Sequence, residues 1–165
     1  MLSYNRRQFT LTAFALFGLA GCGFSPVYAP GGGGAALLDA VRLDDPKTRA
    51  DFLFVRSMEE RLGRAAEDRY GLSYAITLRE DAVAISANNV NTRYNIIGDV
   101  TYALRDLSTG AVVTSGKTRN FTGYSASGTT VATQAAQRDA RARLMTILAN
   151  DVTTRLTAAL TPPAS

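Results

Sequence analysis

Every second residue from 92 to 104 belongs to one set: Thr92, Tyr94, Ile96, Gly98, Val100, Tyr102 and Leu104 share a face of an extended chain. Arg93, Asn95, Asp99, Thr101 and Arg105 lie mostly on the other. A period of two sustained over this length is that of a half-buried strand, and no helix places those residues together. Asp106 to Gly110 then supplies turn chemistry, and Ala111 to Tyr124 returns with Val112, Val113, Thr114, Thr118, Phe121 and Tyr124 as strand formers. The chain must therefore build a long hairpin with one apolar and one polar face, and the rest of the sequence has to cover the apolar one.

Two segments are patterned to do so. From about Arg49, the residues Phe52, Val55, Met58, Leu62, Ala65 and Ala66 recur at helical spacing between charged residues, with Thr48 as N-cap, Asp51 in the first turn and Gly71 as the stop. Beyond a Ser/Gly/Thr loop at 125–130, a longer stripe runs through Ala132, Ala136, Ala140, Leu144, Ile147, Leu148, Val152, Leu156 and Ala159 until Pro162-Pro163 ends it. Leu72, Tyr74, Ile76 and Leu78 alternate as another strand, interrupted at Glu80-Asp81, and Ala36 to Leu43 reads as a first short strand before the turn at Asp44-Asp45-Pro46. The predicted order is strand, helix, three strands, helix. This is an α+β fold in which two amphipathic helices pack on one face of a small, about four-stranded mixed or antiparallel sheet.

Ahead of this body, Arg6 and Arg7 precede an apolar run of 11 residues, Phe9 to Leu19, and then Ala20-Gly21-Cys22. Charged, apolar and small-residue regions in that order make a secretory signal, and the lone cysteine behind Leu19-Ala20-Gly21 marks it as a bacterial lipoprotein signal with Cys22 as the lipidated residue. The apolar run rises only about 16 Å as a helix, roughly half a bilayer's hydrocarbon thickness, so it is not read as a membrane span. Arg6-Arg7 with Phe9 also fits twin-arginine export, but an ordinary n-region needs only positive charge and is preferred. The expected organisation is a signal peptide over 1–21, a Gly/Pro-rich tether over 22–36, one α+β domain over 37–160 and a tail over 161–165. Gly23 after the cysteine, where aspartate would retain many lipoproteins at the inner membrane, points to the outer membrane.

Composition narrows the function. There is no histidine, which excludes Ser-His-Asp and Cys-His arrangements, and with Cys22 spent on lipid no thiol remains for a disulfide, a metal or catalysis. The acids Glu59, Glu60, Glu67, Asp68, Glu80 and Asp81 are spread over a helix and a turn among arginines, as a solvated surface would have them. No cofactor or metal is implied. Ser115-Gly116-Lys117-Thr118 imitates the end of a phosphate-binding loop, yet the glycine required at position 111 is Ala and the segment sits in a strand, so nucleotide binding is rejected. Behind Cys22 the chain has 16 basic and 14 acidic side chains, too balanced for a nucleic-acid binder, but residues 91–165 hold 8 and 4. Within that positive half, Arg93, Arg105, Lys117 and Arg119 fall in the hairpin; Lys117 and Arg119 point the same way from one strand, as candidates for meeting lipid phosphates or an acidic protein wall or, equally, as solvated strand charges that discourage edge pairing.

Taken together, Cys22-Gly23-Phe24-Ser25-Pro26-Val27-Tyr28, the helix with Phe52 to Leu62, the strand Leu72 to Arg79, Thr92-Arg93-Tyr94 through Tyr102-Ala103-Leu104, the return Thr118-Arg119-Asn120-Phe121 and the alanine-rich helix ending near Arg155-Leu156 resemble the lipopolysaccharide-assembly lipoprotein family, LptE. The resemblance implies a non-enzymatic outer-membrane lipoprotein that plugs the barrel LptD, supports its assembly and helps carry lipopolysaccharide to the cell surface. It implies as partners that barrel, lipopolysaccharide and the bilayer through acylated Cys22, with Arg93, Lys117 and Arg119 as candidate contacts. An auxiliary lipoprotein of an ABC-type lipid transporter would share the anchor and an α+β body, and is the alternative.

Overall fold

The computed structural model describes Tyr28 and residues 32–85 and 91–161; Cys22 and the signal segment lie outside the described residues. The elements run α1 (Gly33–Leu37), β1 (Val41–Leu43), α2 (Arg49–Leu62), β2 (Tyr70–Ile85), β3 (Asn91–Asp106), β4 (Val112–Ser125) and α3 (Thr130–Leu160). The four strands form a sheet in the order β1-β2-β3-β4, with β1 parallel to β2 and the other neighbours antiparallel. The fold is α+β, as the patterning demands.

The alternating run forms as expected. Ile96, Val100, Tyr102 and Leu104 are buried on the inner face of β3, where α2 and α3 supply Phe54, Met58, Leu62, Leu144, Met145, Leu148, Val152 and Leu156 to the same core. The Phe54 and Tyr74 rings meet at 5.1 Å between centroids, which ties α2 to β2. The turn also closes as read: Asp106 N donates to Ala111 O at 3.0 Å, Asp106 Oδ1 accepts from Ser108 N at 2.9 Å, and Gly110 takes φ 72°.

Four local readings are corrected. Residues 36–43 are not one strand: α1 occupies 33–37 and only Val41–Leu43 pairs with β2. The glycine-rich run accordingly joins the body at Gly33, because Gly33 and Gly34 are buried in α1. A Cβ on Gly33 would stand 2.3 Å from Thr157 O on α3, so the backbone can approach α3 only because this residue has no side chain. Helix α2 starts at the predicted N-cap Thr48, and Asp51 closes a capping box with it, Asp51 N donating to Thr48 Oγ1 at 3.1 Å and Thr48 N to Asp51 Oδ2 at 2.9 Å. It stops at Gly63, φ 74°, eight residues before Gly71; its buried stripe is Phe54, Ser57, Met58 and Leu62, while Phe52 is exposed. Finally, Glu80-Asp81 does not interrupt β2, which runs on to Ile85 with register shifts only after Ala82.

Candidate functional site

All three helices lie on one side of the sheet or against each other, so the opposite face of β2, β3 and β4 carries no covering element among the described residues. Register decides what stands there. Asp99 pairs with Arg119 on β4 and with Thr77 on β2; one row along, Thr101 pairs with Lys117 and Ala75; one row the other way, Ile97 pairs with Phe121 and Arg79. Side chains two apart on a strand share a face, so Lys117, Arg119 and Phe121 project together from β4 beside Asp99 and Ile97 of β3.

Asp99 gathers the two cations. Its Oδ1 accepts from Arg119 Nε at 2.8 Å and lies 3.3 Å from Lys117 Nζ. The Arg119 hydrogen bond holds the Asp99 carboxyl below its usual range against a smaller opposing effect of desolvation, Lys117 adds to the lowering, and the same contact raises the guanidinium of Arg119. One carboxylate facing two cations leaves a net positive group, and the Lys117 and Arg119 side chains remain 58% and 62% exposed. Phe121, 59% exposed, adds an aromatic ring to this charged surface. Arg93 reaches the same face but not the same cluster: it pairs with Ser125, and five intervening residues of strand set it about 20 Å from Asp99. The candidate trio is thus one pair joined by Asp99 and one distant cation.

Sequence reading missed Asp99 as the linker of that pair because the register turns on one irregularity. Leu104 pairs with Thr114, but Arg105 pairs with Val112, a shift at the turn end of the hairpin. Carried on without that shift, the turn would set Asp99 opposite Thr118 and reverse the face of every β4 side chain. Two further carboxylates were read too blandly or not at all. Glu80, taken as part of a solvated turn, lies in β2 and accepts from Tyr124 Oη, from Gln137 Nε2 at 2.9 Å and from Arg141 at 3.3 Å. Desolvation pushes its carboxyl up, but these three donors outweigh it and leave it below the usual value. Burial and the bond to Glu80 push the Tyr124 hydroxyl up to about 12. Asp151 of α3 accepts from Thr118 Oγ1 at 3.2 Å and Asn120 Nδ2 at 3.3 Å on β4. Both acids fasten α3 to the sheet and so hold the far side of β4 rigid behind Lys117 and Arg119.

Gly116 and Lys117, in the segment resembling a phosphate loop, lie within β4 and open no helix. Tyr102 packs against Gly116, where an added Cβ would stand 2.8 Å from the Tyr102 hydroxyl oxygen. No helix among the described residues is long and apolar enough to cross a membrane.

The layering and strand order recur in solved bacterial lipoproteins. A Caulobacter crescentus protein described as a candidate lipoprotein superposes with a TM-score of 0.66 at 22% identity, covering 78% of this chain and 96% of its own. The rare lipoprotein B of Shewanella oneidensis gives 0.55 at 11%, covering 72% and 92%, and a minor lipoprotein of Acinetobacter baumannii 0.52 at 16%, covering 76% and 94%. At these identities the likeness is one of fold, a two-layer α+β body. A search of curated protein sequences found no match. The family model described as lipopolysaccharide-assembly, LptE, matches residues 38–156, from the end of α1 to near the end of α3, and the chain belongs to that family.

Proposed function

We propose that this protein is the non-enzymatic lipoprotein partner of the lipopolysaccharide-translocating outer-membrane barrel, LptD, seated in the barrel lumen, and that it assists transport of lipopolysaccharide to the cell surface. The observation that carries this reading is the family match over residues 38–156, which spans the whole sheet, α2 and all but the last turn of α3. The open sheet face is the surface such a role requires: barrel interiors are polar, and a plug facing one should be rigid and polar outside. In this reading Lys117 and Arg119, and separately Arg93, meet phosphates of lipopolysaccharide or acids of the barrel wall through charge-assisted hydrogen bonds.

Lipidation at Cys22 completes the proposal. A diacylglyceryl thioether with an N-acyl group anchors stably where one chain would not. Five residues separate Cys22 from Tyr28, so the two are at most about 20 Å of chain apart. Tyr28 lies with Arg61, Thr154 and Ala158 along a groove on the helical side, opposite the open sheet face.

The test is a pull-down of the lipidated protein from detergent-solubilised outer membrane. A barrel of several hundred residues in near-equal amount is expected. Recovery of an inner-membrane ATPase complex in its place would support the alternative, an auxiliary lipoprotein of an ABC-type lipid transporter.

A further inference from the structure

The two long helices run side by side in the same direction, with Ser57 Oγ 3.3 Å from Thr146 Oγ1 and Thr153 Oγ1 donating to Met58 Sδ at 3.4 Å. That offset brings the start of α2 level with Arg138 and Arg141 on α3. There the helices enclose a groove of about 640 Å³ over β2. Its floor is apolar, made by Leu53, Ile76 and Leu78, all of them only half-buried. Its rim is cationic, made by Arg49, Arg138 and Arg141, and no carboxylate lines it among the described residues.

Arg141 is engaged with Glu80, which is already held by Tyr124 and Gln137. Arg49 and Arg138 are exposed and form no ion pair among the described residues. Arg56 and Arg143 find carboxylates in Glu60 and Asp139, while others such as Arg105 and Arg155 form no ion pair among the described residues; what sets Arg49 and Arg138 apart is that both rim one apolar groove. Guanidinium groups left without counter-charge over wet apolar side chains match a ligand with an anionic head and a hydrocarbon tail. The volume lies within the range of sites for one small ligand, about 300–1,000 Å³, and favours a single chain over several.

We infer that this groove binds a single-chain anionic amphiphile, its carboxylate or phosphate held by Arg49 and Arg138 and its alkyl chain laid on Leu53, Ile76 and Leu78. The groove is on the helical side of the sheet, away from Lys117 and Arg119, and its ligand does not depend on the proposed barrel partnership.

The test uses the full chain carrying Cys22→Ser, so that its own lipid does not compete, titrated with the fluorescent fatty acid parinaric acid. Bound probe is then displaced with palmitate, with palmitoyl lysophosphatidate and with uncharged monopalmitin. Palmitate or lysophosphatidate displaces it, the tighter of the two naming the headgroup, and monopalmitin is weaker by about tenfold or more. Arg49→Gln combined with Arg138→Gln lowers the affinity by a similar factor with an unchanged circular dichroism spectrum, since both side chains are exposed, while Lys117→Ser leaves it unaltered. Failure of parinaric acid to bind, equal displacement by monopalmitin, full binding by the double Gln variant, or loss of binding in Lys117→Ser would each overturn the inference. A pull-down without a barrel would leave these results standing.

Discussion

The two faces of one sheet are built from the same three strands and have opposite tasks. On the inner face, residues of even number on β3, Ile96, Val100, Tyr102 and Leu104, are sealed under Leu144, Leu148 and Val152. On the outer face, Ile97, Asp99 and Thr101 stand beside Phe121, Arg119 and Lys117, with Asn95 and Arg93 farther along the strand and no helix above them among the described residues. In the proposed function, the difference assigns stability and recognition to alternate residues of one chain segment. A substitution should disturb one and spare the other according to the parity of its position within β3.

The comparison would be broken most severely if the inner face proved dispensable. Leu144→Ala empties a site of 0% exposure, and a buried Leu→Ala change costs about 3 kcal/mol. Urea denaturation of the Cys22→Ser chain should show that loss; a change near zero would mean that α3 is not packed on the sheet as described. A smaller effect is expected at Glu80, whose side chain is 26% exposed. Glu80→Gln weakens charge-assisted bonds from Tyr124 and Arg141 and costs about 1 kcal/mol at neutral pH. The sign of its pH dependence follows from the lowered carboxyl. Stability from the ionised group is complete above the ordinary glutamate value of 4.5 and is lost as pH falls through the lower folded value, so the gap between wild type and Glu80→Gln should close in acid. A gap that widened in acid would mean that folding raises the Glu80 carboxyl above its ordinary value and would contradict these contacts.

Much of this division was legible from spacing alone. The period of two in residues 92–104, the helical stripe of residues 132–159 and the turn at Asp106 to Gly110 each had a single physical solution, and each forms. The end of α2 was not legible because Ala65 and Ala66 extend the apolar spacing beyond Gly63, and only the contact of residues 63–69 with Asp39 and Ala40 shows that the chain has left the helix. The start of the body was misread for a related reason. Glycines that look like slack in the sequence are required at Gly33 by the nearness of α3, a property of the partner surface and not of the run. On the outer face, the cations were legible by type, but their union at Asp99 depends on the shift between Leu104 and Arg105, which no propensity marks. The polar clamps Glu80 and Asp151 escaped because an acid in a strand or helix declares its partner only when the layers are assembled. Cys22 lies outside the described residues, and its lipidation rests on the signal motif.

The smallest expected effect on stability falls on the outer face, and it carries the largest expected effect on function. Arg93→Ser, Lys117→Ser and Arg119→Ser combined in one chain, with binding to lipopolysaccharide measured alongside the denaturation midpoint, test the division most directly. The account predicts an unchanged midpoint and binding weaker by about tenfold or more. Unchanged lipopolysaccharide binding would contradict it and remove these three residues from the functional face.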